Sequence, residues 1–417
     1  MNRTSAAALL ILIFAGALAF RLAGLDIRPM HHDEANQALK FGLLLENGEY
    51  RYDPSDHHGP TLYYFSLPLA RILGRDTLAA LDERSLRLVP ALFGAGLILL
   101  FWLFRLDLGT GSMLAAAVLA GLSPAFVYYG RFYIQESLLV FFTAAFLGTA
   151  WRFLRQRTAG WAVAAGVAAG LMFATKETSL ILFAAAGAAF AIAGRAAKRE
   201  PEAGKLRRPL LVPVLAGVAA AVLTAALFYS SFLAHPRGIL DSVLALGDYA
   251  AKGGSPGFHA HPAGYYLGIL AYSASGGLVW SESLILALAC LGIIGVLKTR
   301  NAFGLAIAVF SVLTALVLSV IPYKTPWNLL PFHFGFIVLA GCGTEFAFRS
   351  LRKALPRSAA AVLLLAGAVQ LGAQARAASF RYPADPRNPY AYAQTGTDYP
   401  RLVRRIEEIA RISPDGP

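Results

Sequence analysis

Eleven stretches of this 417-residue chain are apolar over about 17 to 25 residues: 6–24, 86–104, 112–129, 137–153, 159–175, 178–194, 209–233, 280–297, 302–321, 327–347 and 358–375. A helix needs about 20 apolar residues to cross the hydrocarbon core of a bilayer. The pattern therefore predicts an all-α polytopic membrane protein with about eleven transmembrane helices. A shorter piece, 61–74, reads as a helix lying in the interface.

The basic residues orient these spans. With the N-terminus in the cytoplasm, four inside loops carry the cations: Arg152, Arg155 and Arg157; Arg195, Lys198, Arg199, Lys205, Arg207 and Arg208; Lys298 and Arg300; Arg349, Arg352, Lys353 and Arg357. This is the positive-inside pattern. It accounts for much of the formal charge of +13, which sits in short clusters between apolar runs and forms no patch. With no nucleic-acid motif present, nucleic acid drops out as a partner. Only 15% of residues are charged and 57% are hydrophobic, against about 25% and 45–50% in soluble domains. Cys290 and Cys342 lie inside apolar runs and form neither a disulfide framework nor a metal spacing.

The expected organisation is a transmembrane domain, 1–375, followed by a short extracytoplasmic tail, 376–417. The outer face receives a long first loop, 25–85, carrying interfacial helices, and a second long loop, 234–279. It also receives turns at 130–136, 176–177 and 322–326. Seven of the eight histidines fall in the two long loops. The Gly-rich part of the second loop, "AAKGGSPGFHAHPAGYY", suits a lid. The tail opens with the turn-rich "RYPADPRNPY". It ends in "DYPRLVRRIEEIARI", an amphipathic helix with Leu402, Val403, Ile406, Ile409 and Ala410 on one face, to be packed on the membrane domain or on a partner.

The chemistry concentrates beside the first span. "MHHDEANQALKFG" places His31, His32, Asp33 and Glu34 together, and "DPSDHHGP" adds His57 and His58. Asp33 suits a helix N-cap, but a cap leaves Glu34 and the histidines unexplained. The alternative is a general base at a helix start, where an acceptor hydroxyl loses its proton. The imidazoles His31, His32, His57 and His58 are candidate ligands for a divalent metal, although no close-spaced motif such as H-E-x-x-H is present. Hydrogen bonding to phosphate or sugar is an equal use for them. No cofactor is required by the sequence.

Arg131 and Glu136 in "YYGRFYIQES", Lys176 and Glu177 in "TKETS", and Lys324 and Trp327 in "IPYKTPWNLLPFH" each have an ordinary reading. They serve as aromatic belt, snorkelling cation or local ion pair. All of them, however, map with Asp33 and His57 to one membrane face. Cations and carboxylates at that depth suit an anionic, lipid-linked substrate.

These segments resemble a known family. The "HDE" pair after a first span is similar to integral-membrane glycosyltransferases of the GT-C fold, which include protein O-mannosyltransferases and the transferase that adds aminoarabinose to lipid A. "HHGPTLYYFSLPLARILG", "ERSLRLVPALFGAGLILL" and "YKTPWNLLPF" resemble the loop, second span and late lysine-proline-leucine segment of that superfamily. "MHHDEANQALKFG", "DHHGPTLYY", "YGRFYIQES", "TKETS", "YKTPWNLLPF" and "NPYAYAQT" look most like a bacterial and archaeal branch of flippase-associated glycosylation proteins. The resemblance implies a polyprenyl-phosphate sugar donor and a lipid, glycan or protein acceptor on the outer face of a plasma (bacterial inner) membrane. It implies Asp33 as the base, with Glu136 supporting it or binding donor or metal; Glu34 beside Asp33 is the third catalytic candidate. It leaves His57, His58, Arg131, Lys176, Glu177, Lys324 and Trp327 to bind substrate. "HHGP" departs from the "KPP"-type loop of the lipid A enzyme.

Two other classes stand beside this reading. A transporter or flippase of lipid-linked sugars would use carboxylates as proton relays, but its site belongs near the bilayer midplane between repeats, and no repeat is evident. A non-catalytic partner of a glycosylation complex would keep the fold without the activity.

Overall fold

The computed structural model describes residues 1–55, 58–197, 210–254, 257–351 and 353–413. The described chain is helical apart from one hairpin. In order it forms α1 (Arg3–Leu22), α2 (His32–Asn47), α3 (Thr61–Ile72), α4 (Glu83–Leu100), α5 (Arg105–Leu108), α6 (Thr110–Leu122), α7 (Pro124–Tyr129), α8 (Glu136–Gln156) and α9 (Ala159–Phe173). Then follow α10 (Ser179–Ala197), α11 (Leu211–Tyr229), α12 (Arg237–Gly254), α13 (Tyr265–Ala271), strands β1 (Ser273–Ser275) and β2 (Leu278–Trp280), α14 (Ser283–Thr299), α15 (Ala302–Val320), α16 (Leu330–Ser350), α17 (Ala354–Arg376) and α18 (Tyr399–Ile412).

All eleven apolar runs are helical, but only eight helical segments among the described residues are long and apolar enough to cross a membrane. The three shorter ones are α6, α9 and α14, of 13, 15 and 17 residues. Local chemistry explains two of them. The 112–129 run is cut by Pro124, with Ser123 extended between α6 and α7 and its hydroxyl capping α7. The 280–297 run loses its start because Trp280 belongs to β2, paired with Ser273 across the hairpin.

Small residues let the helices approach closely. α14 packs on α16, and α9 packs on α11. A methyl group added at Gly292 would overlap the Leu339 carbonyl, and one at Gly166 would overlap the carbonyl of Gly217. Close backbone contact of this kind drives helix association where burying apolar surface gains nothing.

Polar partners divide the bundle into two ends. At one end Asp107 accepts from Trp151 at 3.0 Å and Arg155 at 2.7 Å, and Arg152 lies 3.4 Å away. Glu345 there accepts from Ser112 and Arg349. The opposite end carries α2, α3, the turns around 131–135, 174–178 and 321–326, and the described residues of the second long loop. That loop is α12, α13 and the hairpin. The tail also joins this end. Tyr128 donates to the Pro383 carbonyl and Tyr129 to that of Tyr390, while Trp280 donates to that of Arg387.

A carboxylate buried at this end holds the tail. Glu282 accepts from Ser123 Oγ at 2.6 Å, the Ala125 amide at 2.9 Å and Tyr390 Oη at 2.9 Å, and pairs with His333 Nε2 at 2.8 Å.

Candidate active site

The first turn of α2 sets the geometry. Its N-cap is His31, not Asp33. His31 Nδ1 accepts from the Asp33 amide at 2.9 Å, and Glu34 reaches back to the His31 amide at 3.0 Å, completing a capping box. With Nδ1 accepting, the ring proton sits on Nε2 and is donated to the Tyr392 carbonyl at 3.1 Å. Burial pushes the His31 imidazole below its ordinary value, in keeping with a neutral ring. The Asp33 carboxylate is relieved of capping. Its side chain is 40% exposed, and His31 Nδ1 lies 3.9 Å from it.

Glu34 is the opposite case. It is buried and accepts five hydrogen bonds: from Arg87 Nε at 2.7 Å and Nη2 at 2.6 Å, Arg28 Nη2 at 3.1 Å, the His31 amide at 3.0 Å and the Tyr133 amide at 2.8 Å. Burial alone would raise its pKa, but Arg87 and Arg28 hold the carboxyl down at about 2. Every lone-pair direction is occupied. Glu34 therefore ties the first loop to α4 and to the turn before α8, a positioning task where a catalytic one was expected.

Arg131 also departs from expectation. Its guanidinium donates to the carbonyls of Arg21, Ala23 and Gly24, at 2.8 Å for Arg21 and 2.6 Å for Gly24, closing the C-terminal end of α1. Those carbonyls have no helical partner, so a buried arginine satisfies them. These bonds take three of its five N–H donors. Its charge nonetheless stays in place. Arg28 and Arg87 bind Glu34, and buried Arg131 feels the charges of Arg28, Arg87 and Arg21, with Asp26 opposing them.

Lys176 does not pair with its neighbour Glu177. Its Nζ donates to Glu136 and, at 3.2 Å, to Asn328 Oδ1, so α8, the 174–178 turn and the segment before α16 meet at one ammonium. Glu136 Oε2 is buried without a hydrogen-bond partner, beside a small cleft lined by Thr178, Trp327 and Asn328. Glu177 pairs with His58 Nδ1 at 2.7 Å and accepts from Tyr52 at 3.4 Å. His58 also stacks on Tyr249. The "HHGP" segment is thus folded onto "TKETS", and Gly59 has no room for a side chain against the Ala174 carbonyl.

Lys324 is buried, and its Nζ donates to the carbonyls of His261 at 2.8 Å and Ile321 at 2.6 Å. Burial lowers its pKa. Trp327 is wedged against His31, Tyr129, Phe132 and Tyr392. Burial, then the charges of Asp33 and Glu136, push the Tyr323 phenol up.

The proposed metal ligands do not assemble. Both ring nitrogens of His31 are engaged, and His32 is exposed with Nε2 near Asn36 at 3.3 Å. His58 serves Glu177, and His57 lies outside the described residues. Among the described residues no group of three or more His, Cys, Asp or Glu side chains is placed to hold a metal ion.

Sequence reasoning missed Tyr392, whose hydroxyl sits 2.9 Å from His259 Nδ1 and 3.2 Å from His261 Nε2. Nor did it point to Asn328, Tyr323 or the buried Glu282–His333 pair. The first three lie inside segments quoted above, but only folding shows that Tyr392 meets His31, His259 and His261 and that Asn328 meets Lys176.

These features define a polytopic helical membrane protein with ordered loops and a charged site gathered at one end. Comparison with known proteins identifies the architecture. A protein-family model, Dolichyl-phosphate-mannose-protein mannosyltransferase, matches residues 47–194, a stretch that includes His58, Arg131, Glu136, Lys176 and Glu177 but not Asp33 or Lys324. The structure of ArnT from Cupriavidus metallidurans is similar at a TM-score of 0.62 and 15% identity, over 93% of this chain and 75% of that one. ArnT bound to undecaprenyl phosphate gives 0.60 and 16%, over 92% and 74%. The Archaeoglobus fulgidus oligosaccharyltransferase gives 0.63 and 16%, over all of this chain but only 59% of its own. No curated protein sequence matches. The chain has the GT-C glycosyltransferase fold.

Proposed function

We propose that the protein is an integral-membrane glycosyltransferase that moves a sugar from a polyprenyl-phosphate donor to a lipid, glycan or protein acceptor on the extracytoplasmic face. The N-terminus is cytoplasmic in this reading. One observation carries it: the capping box is built by His31 and Glu34, so Asp33 is left with a part-exposed carboxylate on a rigid turn. Solved relatives in the fold hold undecaprenyl phosphate in one case and dolichol-phosphate in another.

Asp33 takes the proton of the acceptor hydroxyl. The oxygen forms a bond to the anomeric carbon, the carbon–oxygen bond to phosphate breaks, and polyprenyl phosphate leaves with the electron pair. A departing phosphate needs preorganised positive charge. Lys324 supplies it best, because its Nζ donates to the carbonyls of His261 and Ile321, which leave its charge unneutralised. The buried arginines add a long-range positive field. Trp327 and Tyr323 wall the sugar site. Lys176 and Glu136 fix the floor, and Glu177 with His58 fixes the adjoining loop. Whether the sugar is a hexose or a pentose is set by contacts these residues make with its ring.

The test is transfer from a synthetic polyprenyl-phosphate sugar by purified Asp33→Asn protein. Removing a general base costs about a hundredfold to ten-thousandfold. The expected result is that loss with an unchanged unfolding temperature. Near-normal turnover would remove Asp33 from the chemistry.

A further inference from the structure

The C-terminal helix α18 has no buried residue, although half of it is apolar. Tyr399, Leu402, Val403, Ile406 and Ile409 are each more than a third exposed. At 100° per residue they fall, with Ala410, on one arc of about 120°. Arg401, Arg404, Glu408 and Arg411 occupy the opposite arc, flanked by Arg405 and Glu407. Arg405 pairs locally with Glu408 at 3.1 Å. The membrane domain, one destination expected from the sequence for this face, does not cover it.

We propose that α18 lies flat on the membrane that the protein spans, with its apolar arc inserted at an anionic headgroup surface. Three observations select this occupant over a soluble protein. The helix carries four arginines, Arg401, Arg404, Arg405 and Arg411, against two carboxylates, Glu407 and Glu408, a net charge of +2. A strongly amphipathic helix with low overall hydrophobicity and arginines on its polar face is the composition of an interfacial helix. The tether is short. Gln394 is fixed by its hydrogen bond to the Pro29 carbonyl at 2.9 Å, and only four residues separate it from Tyr399. At about 3.6 Å per residue, the helix cannot move far from the loop end of the bundle, where the first span enters the lipid. The same tether begins beside Tyr392, so an anchored α18 pins the strand that touches His31, His259 and His261 at the lipid surface.

The test uses the full-length protein with Cys290→Ala and Cys342→Ala, carrying one environment-sensitive label at Ile406→Cys or, separately, at Leu402→Cys. Single molecules are placed in nanodiscs of phosphatidylcholine, with or without phosphatidylglycerol. Nitroxide-bearing lipids and aqueous acrylamide serve as the two quenchers. The expected result is about twofold or more stronger lipid quenching when phosphatidylglycerol is present, reversed by high salt and weakened in Arg401→Glu/Arg404→Glu. Free quenching by acrylamide in both discs would overturn the proposal. Shielding from both quenchers would also overturn it, because protein would then cover the face. The reading does not depend on transfer activity.

Discussion

Glu34 gives both carboxylate oxygens to five donors, whereas Asp33, one residue earlier, keeps a carboxylate free of the cap. The two substitutions should therefore separate. Glu34→Gln leaves Arg87 facing an amide with half its acceptors gone, in a buried place. Breaking a buried pair from one side costs about 3–5 kcal/mol, so this variant should lose stability in thermal or denaturant unfolding. Asp33→Asn should stay within about 0.5 kcal/mol of the parent, as surface changes do. The Glu34 carboxyl is depressed to about 2 when folded, against about 4.3 unfolded. Its contribution is complete above the unfolded value and is lost as pH falls through the folded one, so the gap between parent and Glu34→Gln should close at strongly acidic pH. An unfolding curve for Glu34→Gln that matches the parent at neutral pH would contradict this assignment. A sequence pair of carboxylates cannot say which one is committed, because the deciding partner, Arg87, lies 53 residues away.

At the scale of elements, the apolar runs were legible because helix formation and hydropathy are local. Each expected run contains a helix, and the errors came at ends. Pro124 and the β2 strand shorten two of them. The loops were legible as chemistry but not as contacts. Arg131 finds its carbonyls more than 100 residues upstream, and His31 meets Tyr392 361 positions later. The tail illustrates the consequence. Its turn-rich start reads only as turns, yet Tyr390 is buried on Glu282, and the Tyr392 hydroxyl joins His259 to His261, whose carbonyl holds Lys324. Tyr392→Phe removes that hydroxyl with little change of volume. Each neutral hydrogen bond is worth about 0.5–1.5 kcal/mol. Hydrogen exchange in 258–261 should therefore quicken about tenfold, and the KM for the lipid donor should rise, while global unfolding barely moves. Unchanged exchange with unchanged KM would reduce Tyr392 to a packing residue.

The whole molecule has two chemically distinct ends, and their membrane sidedness decides whether the site meets an extracytoplasmic substrate. One end gathers Asp107, Arg152, Arg155, Glu345 and Arg349 in ion pairs near the helix termini. The other carries the two long loops, the tail and every candidate site residue the structure describes. In the proposed reading the basic bias puts the first end in the cytoplasm, since short loops rich in lysine and arginine resist translocation. A buried-cation field at the second end would then face the compartment where a lipid-linked sugar is consumed. In a protein freed of Cys290 and Cys342, single cysteines at Ala263→Cys in the second long loop and Ser350→Cys at the end of α16 sample the two ends, and both positions are exposed. In intact cells, with any outer membrane permeabilised, an impermeant thiol reagent should label Ala263→Cys and reach Ser350→Cys only after lysis. Labelling of Ser350→Cys with protection of Ala263→Cys would place Asp33 and Lys324 on the cytoplasmic side, and an acceptor on the outer face could not reach them.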